Sequence, residues 1–320
     1  MKVLIAGASG ALGVPLTRSL LAAGHEVIGL SRTPGNRDRL RALGAEPLIA
    51  DVMDPTALLA AVDGLKADAV VHALSALKKP PVRHRDMAAT NALREEGTTN
   101  LLAVARVVGA RRFVAESMIF GYGYGDWGTK VLTEDDPPFG PQGRSRWLER
   151  HIRAMRSAER QTFTSHGIEG IALRYGLLYG PGAGAKEMGE MLRRRRLPVL
   201  HDRGGPLSWV YIEDAAAATV AALERGRPGE AYNVVDDEPT GWREFMGAMA
   251  EAVGAPSPIA LPHWALRLAP YAYAVMTSTL RVSNDKAKWE LGWAPSHPTY
   301  RQGIEKTVES LRDTTPVTAR

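Results

Sequence analysis

Met1-Lys2-Val3-Leu4-Ile5-Ala6-Gly7-Ala8-Ser9-Gly10-Ala11-Leu12-Gly13-Val14-Pro15-Leu16 opens the chain, and its reading decides the fold. Val3 to Ala6 is a short apolar run bounded by turn residues, which predicts a buried strand, and the apolar spacing after Pro15 predicts a helix to Ala23. Between them stand three glycines at spacing G-x-x-G-x-x-G. Gly7 permits the tight turn, Gly10 lets the backbone approach a pyrophosphate, and Gly13 allows helix to lie against strand. The helix N-terminus adds free N–H groups and a positive dipole. A strand before, a helix behind and a second strand at a normal interval are the context such a motif needs. A dinucleotide is therefore expected on Gly7, Ser9, Gly10, Ala11, Leu12 and Gly13.

Working outward, short β-branched or apolar runs alternate with helical stretches as far as Ala115, the pattern of a parallel sheet covered on both faces. Five strands are placed at Val3 to Ala6, Glu26 to Leu30, Glu46 to Ile49, Ala69 to His72 and Arg112 to Ala115. A loop rich in Gly, Pro and Asp follows from Gly121 to Gly143, then a long Arg-rich helix from about Arg144 to Ser165 and a strand from Gly170 to Tyr175. The expected fold is α/β, a Rossmann-like doubly wound parallel sheet with a smaller C-terminal α/β substrate lobe. Residues 1–175 are assigned to the Rossmann domain, 176–312 to the substrate lobe interleaved with it, and 313–320 to a disordered tail. Asp214 reads as the N-cap of a helix from Ala215 to Leu223, and Asn284 as a cap or turn residue. The tryptophans of the lobe, with Pro262-His263-Trp264, either line an apolar pocket or fill its core.

The 320 residues are 45% hydrophobic and 23% charged, without cysteine. That balance is globular; it excludes disulfides, thiolate zinc sites and cysteine nucleophiles, and no apolar run approaches the roughly 20 residues of a bilayer span. Val3 to Ala6 is too short for a secretory core, so the cytoplasm is the expected compartment. The net charge of +5 is spread along the chain rather than gathered into a nucleic-acid-binding module, and no nucleic-acid or membrane partner is expected. Arg193 to Arg196 suits the negative end of a helix dipole or a phosphate. The eight histidines lack metal-site spacing, so no metal is expected.

Cofactor choice is read at the end of the second strand, Gly29-Leu30-Ser31-Arg32-Thr33. An acidic residue there would receive both ribose hydroxyls of NAD; Arg32 can instead pair with a 2′-phosphate, with Ser31 as a further donor, so NADP(H) is expected ahead of NAD(H). Asp51, followed by Val52, could accept from the adenine amino group or serve a helix cap with Asp54.

These residues, together with His72-Ala73-Leu74-Ser75, Asn91-Ala92-Leu93-Arg94-Glu95-Glu96-Gly97-Thr98, Leu173-Arg174-Tyr175-Gly176-Leu177-Leu178-Tyr179-Gly180-Pro181-Gly182, Trp209-Val210-Tyr211-Ile212-Glu213-Asp214-Ala215, Tyr232-Asn233-Val234-Val235-Asp236, Ser283-Asn284-Asp285-Lys286 and Leu291-Gly292-Trp293-Ala294-Pro295, resemble the extended short-chain dehydrogenase/reductases, more narrowly their epimerase/dehydratase-like and atypical branches. The resemblance implies that Ala73, Leu74 and Ser75 border the riboses, and that Tyr175 and Leu177 border the nicotinamide. It also implies a Tyr-x-x-x-Lys pair, in which lysine lowers the tyrosine pKa for proton transfer. None of the nine tyrosines has a lysine four residues on. One helix register puts Gln142 and Arg146 in those places; another, counted back from Glu159, puts His151 and Met155 there. Ser117 is the counterpart of the family's serine. In a reductase it could hydrogen-bond a carbonyl while Tyr122, Tyr124, His151, water or a substrate phenol supplies the proton.

Three functions are compatible with this sequence: an NADPH-dependent reductase of a small, fairly hydrophobic carbonyl compound, a nucleotide-sugar epimerase or dehydratase, and a non-enzymatic NADP-binding sensor or scaffold. A small-molecule substrate is the expected partner, and a homodimer is compatible with the chain.

Overall fold

The computed structural model describes residues 1–137 and 145–313; part of the Gly/Pro loop, including Gln142 and Gly143, and the tail from residue 314 lie outside the described residues. Strands β1 (Lys2–Ala6), β2 (Glu26–Ser31), β3 (Glu46–Ile49), β4 (Ala69–His72) and β5 (Arg112–Met118) are joined by Glu169–Tyr175 and Ala231–Val234 in one seven-stranded sheet. Its spatial order is Ala231–Val234, Glu169–Tyr175, β5, β4, β1, β2, β3, and every pairing in it is parallel. The order reverses between β1 and β4, which opens a crevice at their C-terminal ends.

Why β1 reads as an unbroken apolar run is visible in its two faces. Val3 and Ile5 enter a core with Leu16 and Leu20 of the helix Gly13–Ala22 and Ala218 of the helix Ile212–Arg225, whereas Leu4 and Ala6 enter a second core with Leu101 and Val104 of the helix Thr98–Val108. Alternate side chains point to opposite faces, and both faces are covered, so no position is free to be polar.

The smaller lobe is built on a four-stranded sheet in the order Thr240–Gly241, Pro206–Leu207, Thr279–Val282, Asp126–Leu132. The chain thus passes between the lobes several times: Asp126–Leu132 comes from the N-terminal half, while Ala231–Val234 returns to the large sheet. Trp209 stacks on Phe245 at 3.8 Å between ring centroids and donates Nε1–H to the Thr240 carbonyl, inside this lobe's core. Trp293 is buried as well, whereas Trp264 and Trp289 are exposed. No described helix is long and apolar enough to cross a membrane.

Two polar ties join distant segments. Asp214 is not the cap expected of it. The helix starts earlier, at Ile212, and the Asp214 carboxylate accepts instead from the amides of Ser296 (2.9 Å) and His297 (3.0 Å), stapling the C-terminal segment to the core. Asn284 stands at the N-cap position of the helix Asp285–Leu291, as expected, but its side chain makes no capping bond; its amide donates to the Val235 carbonyl at 2.7 Å and to Asp237 at 2.8 Å. The second tie runs from the helix Arg146–Phe163, capped by Ser145, to the strand Glu169–Tyr175: Arg174 grips Glu159 through Nε and Nη2 at 3.0 and 2.8 Å, with both groups buried.

Removing one partner of such a pair leaves an uncompensated buried charge. Glu159→Ala is therefore expected to lower unfolding free energy by about 3 to 5 kcal/mol, read as a shift in the urea midpoint, whereas Ser117→Ala, which removes one hydrogen bond to Glu159, costs about 1 to 2 kcal/mol. Equal losses for the two variants would contradict this hierarchy.

Candidate active site

The crossover from β1 to the first helix is as tight as a backbone allows. A Cβ on Gly13 would lie 2.0 Å from the Gly7 carbonyl oxygen, and one on Gly7, whose φ is +98°, would lie 2.4 Å from the Ala73 oxygen. Gly10 and Ala11 form the exposed crest, Ser9 is half-buried beside them, and Leu12 turns inward to the core. The helix has Leu12 at its N-cap and no side chain capping it. Within the first turn Val14 donates to the Gly10 carbonyl (3.1 Å) and Pro15 has no N–H, so it is the amides of Ala11, Leu12 and Gly13 that lack a side-chain acceptor, a fit for a pyrophosphate.

At the end of β2, Ser31 is buried and Arg32 exposed. The Asn36 amide donates to the hydroxyls of both Ser9 (3.0 Å) and Ser31 (2.9 Å), tying the crest of the glycine loop to the end of β2. Beyond β3, Asp51 accepts from the Met53 amide, Val52 is buried, and Asp54 rather than Asp51 caps the helix Pro55–Ala61. After β4, Ala73 and Leu74 pack at Gly7, with Ser75 exposed. The residues read as nucleotide-binding thus gather along the C-terminal edge of β1 to β4. Tyr175 sits at the end of its strand, but its hydroxyl is 2.6 Å from that of Thr219, within the core; Leu177 is half-buried.

At the other end of the crevice, the residues expected to carry chemistry divide into two groups. Ser117 is fully buried and donates to Glu159 at 2.6 Å, so its hydroxyl is committed to the Glu159–Arg174 pair. Tyr122 accepts from Arg174 at 3.0 Å and donates to Asn233 Oδ1 at 2.9 Å; burial pushes its pKa up to about 12 although the guanidinium opposes the shift. Tyr124 and His151 lie in a separate aromatic cluster. The Tyr124 hydroxyl is 3.3 Å from that of Tyr271, and burial drives both phenols upward. His151, on the same helix as Glu159, has both ring nitrogens engaged: Nδ1 at 2.9 Å from the Asn91 amide nitrogen and Nε2 at 3.1 Å from His84. His84 in turn stacks on Trp147.

Sequence reasoning did not single out His84, Arg94, Glu116 or Tyr271 for this cluster. Arg94, four per cent exposed on a π-type turn at Leu93–Gly97, reaches Glu116 only at 3.8 Å, and its Nε has no hydrogen-bond partner. Burial raises Glu116 to about 6 against the pull of Arg94. Arg193 to Arg196 are exposed at the end of the helix Ala185–Arg193, with Arg193 donating to the Val253 carbonyl.

His72, at the end of β4, yields a pH dependence. Its Nε2–H donates to the Leu93 carbonyl (3.1 Å) and its Nδ1 accepts from the Leu74 amide (3.3 Å), so the neutral ring is satisfied and a second proton would face an N–H. Burial lowers its pKa from 6.5 to about 4 and does the same to His151. Because the folded values lie below the unfolded one, their contribution to stability is present above pH 6.5 and is lost as pH falls toward 4. Unfolding midpoints measured from pH 7 to 4.5 should decline, and His72→Gln should flatten that decline; an unaltered slope would remove His72 as its cause.

Comparison with known proteins identifies the family and the fold. The profile of the NAD dependent epimerase/dehydratase family matches residues 3–235. A Streptomyces protein named 3-diazoavenalumate denitrifying reductase is 38% identical, the alignment covering 95% of this chain and 99% of the relative. The 2-alkyl-3-oxoalkanoate reductase of Stenotrophomonas maltophilia is 29% identical over 80% of this chain and 77% of its own. Among solved structures, the UDP-glucose 4-epimerase of Thermotoga maritima superposes with a TM-score of 0.79 at 21% identity, covering 98% of this chain and 99% of that one, a likeness of fold. The chain belongs to the NAD dependent epimerase/dehydratase family of NAD(P)-dependent oxidoreductases.

Proposed function

We propose that this chain is an NADPH-dependent reductase of a small, fairly hydrophobic carbonyl compound. The observation that carries this reading is the uncapped helix N-terminus behind a glycine crossover too tight for any side chain, with a cation at the end of the next strand. Backbone amides of the crest, Leu12 and Gly13 would hold the pyrophosphate. Arg32 would pair with the 2′-phosphate, helped by Ser31, which Asn36 holds in register with Ser9. When bound, the reduced nicotinamide supplies a hydride.

The chain's own contribution is placement. Glu159 and Arg174 lock the helix carrying His151 onto the strand that ends at Tyr175, which fixes the distance between the aromatic cluster and the nicotinamide end of the crevice. Ser117, turned into that ion pair, acts through Glu159 as a positioning residue. The aromatic rings around His151 exclude water and favour an apolar, planar acceptor. The names of two relatives, one a reductase of a diazo compound and one of an oxoalkanoate, support hydride transfer to a small acceptor rather than sugar rearrangement.

Arg32→Asp should reverse the phosphate contact. Loss of a charge-assisted pair worth about 1.5 to 3 kcal/mol predicts NADPH affinity weakened by about tenfold to a hundredfold relative to NADH, measured by calorimetry on both nucleotides. An unchanged ratio would refute the NADPH assignment, and turnover of a nucleotide sugar without net oxidation of the cofactor would refute the reductase assignment.

A further inference from the structure

Which nucleotide the end of β2 selects depends on the direction of its hydrogen bonds as well as on its charge. The 2′-hydroxyl of NADH brings a proton that needs an acceptor, which is why an acidic residue suits it, whereas the 2′-phosphate of NADPH brings acceptors only. Arg32 supplies the charge but is exposed, so salt and water screen it. Ser31, buried beside it, supplies the direction.

Asn36 fixes that direction. It stands at the N-cap of the helix Arg37–Ala42, where an asparagine side chain ordinarily accepts from the backbone of the first turn, and it makes no such bond. The turn Pro34–Asn36, closed by the Asn36 N–H on the Thr33 carbonyl at 3.0 Å, carries the side chain back to the end of β2. There Nδ2 donates to Ser31 Oγ at 2.9 Å and to Ser9 Oγ at 3.0 Å. The Ser31 oxygen also receives the Thr33 N–H at 3.3 Å, and the Ser9 hydroxyl donates toward it from 3.5 Å. Two donors already fill the two lone pairs of a hydroxyl. The Ser31 proton is then the only hydrogen-bonding capacity the group has left, and no described residue accepts it.

Building on the NADPH assignment above, we infer that Asn36 is a specificity-determining positioning residue: by saturating the Ser31 oxygen it leaves a hydroxyl that can only donate, offered to the adenosine 2′-phosphate and unable to receive the 2′-hydroxyl proton of NADH. The discrimination works from both sides. NADPH gains a donor beside the Arg32 guanidinium, and NADH meets donors where its own proton needs an acceptor. In this role Asn36 need touch no nucleotide, because it acts through Ser31. Ser9 shares the same amide, so one side chain sets both the glycine crest and the residue that reads the 2′ position. An asparagine spent on capping its helix would leave the Ser31 hydroxyl free to accept as well as donate.

The test measures the affinities of NADPH and NADH by calorimetry on the full chain, on Asn36→Ala, on Ser31→Ala and on the double variant. The unaltered chain should prefer NADPH, and each single variant should lower the NADPH-to-NADH affinity ratio by about threefold to tenfold, the loss of one oriented hydrogen bond. Because the two residues act as one unit, the double variant should lose no more of the ratio than Ser31→Ala alone. A ratio unchanged in Asn36→Ala, with both nucleotides weakened alike, makes Asn36 a tie between loops; it overturns this inference and leaves the NADPH assignment standing. Additive losses in the double variant overturn it as well, since Asn36 would then act by a route other than Ser31. Ser31→Ala, which removes a single oxygen, decides the matter if Asn36→Ala does not fold: a ratio unchanged there overturns the inference too. An unaltered chain that binds NADPH no more tightly than NADH overturns both the NADPH assignment and this inference.

Discussion

The close approach of one helix to one strand sets the geometry on which the rest of the crevice depends. With a Gly13 Cβ required to sit 2.0 Å from the Gly7 oxygen, no side chain can occupy that position without driving the first helix off β1. Because the helix is held there, its uncapped N-terminus opens at the β1/β4 reversal of the sheet. The ends of β2, β3 and β4 then fall into place around it. The Asn36 bridge between Ser9 and Ser31 transmits the position of the glycine crest to the residue beside Arg32, so the groups proposed for the two phosphates are mechanically linked.

What was legible in the sequence follows from this constraint and from burial. β1, β2 and β4 are short runs buried on both faces, and such strands announce themselves as apolar segments, whereas β3 at the sheet edge is exposed to half-buried; β5 shows the apolar signal only as far as Ala115, since Glu116, Ser117 and Met118 continue it with polar and half-buried side chains. The pairing of Asp126–Leu132 with Thr279–Val282 left no comparable trace, because register between strands about 150 residues apart depends on tertiary packing rather than local pattern. Asp214 misled for a related reason. An aspartate before an alanine-rich helix carries the local signature of a cap, and nothing local reports that Ser296 and His297 will arrive to use its carboxylate.

The region proposed for chemistry was only half visible. Tyr122, Tyr124, Ser117 and His151 were named from their places along the chain, yet their roles separate by direction: Ser117 and Tyr122 turn into the Glu159–Arg174 network, Tyr124 and His151 into the ring cluster. Direction is set by the two-residue alternation of β5 and by the turn after it, which the short apolar signal there could not fix. His84 and Tyr271 come from segments far apart in sequence, and only the fold brings both rings to within 5.3 Å of His151, centroid to centroid.

Electrostatics then bears on why a chain of this family can manage without a lysine-activated tyrosine. In the register counted back from Glu159, the lysine of the pair would stand at residue 155, and that position is Met155, packed at one per cent exposure in the lobe's core. Arg94 supplies positive charge here instead, acting on phenols already raised by burial and on an imidazole held neutral. Charge placed there does little to mobilise a proton, since the tyrosines remain bonded to one another and to neutral partners, but it attracts an anion strongly in a low-dielectric setting.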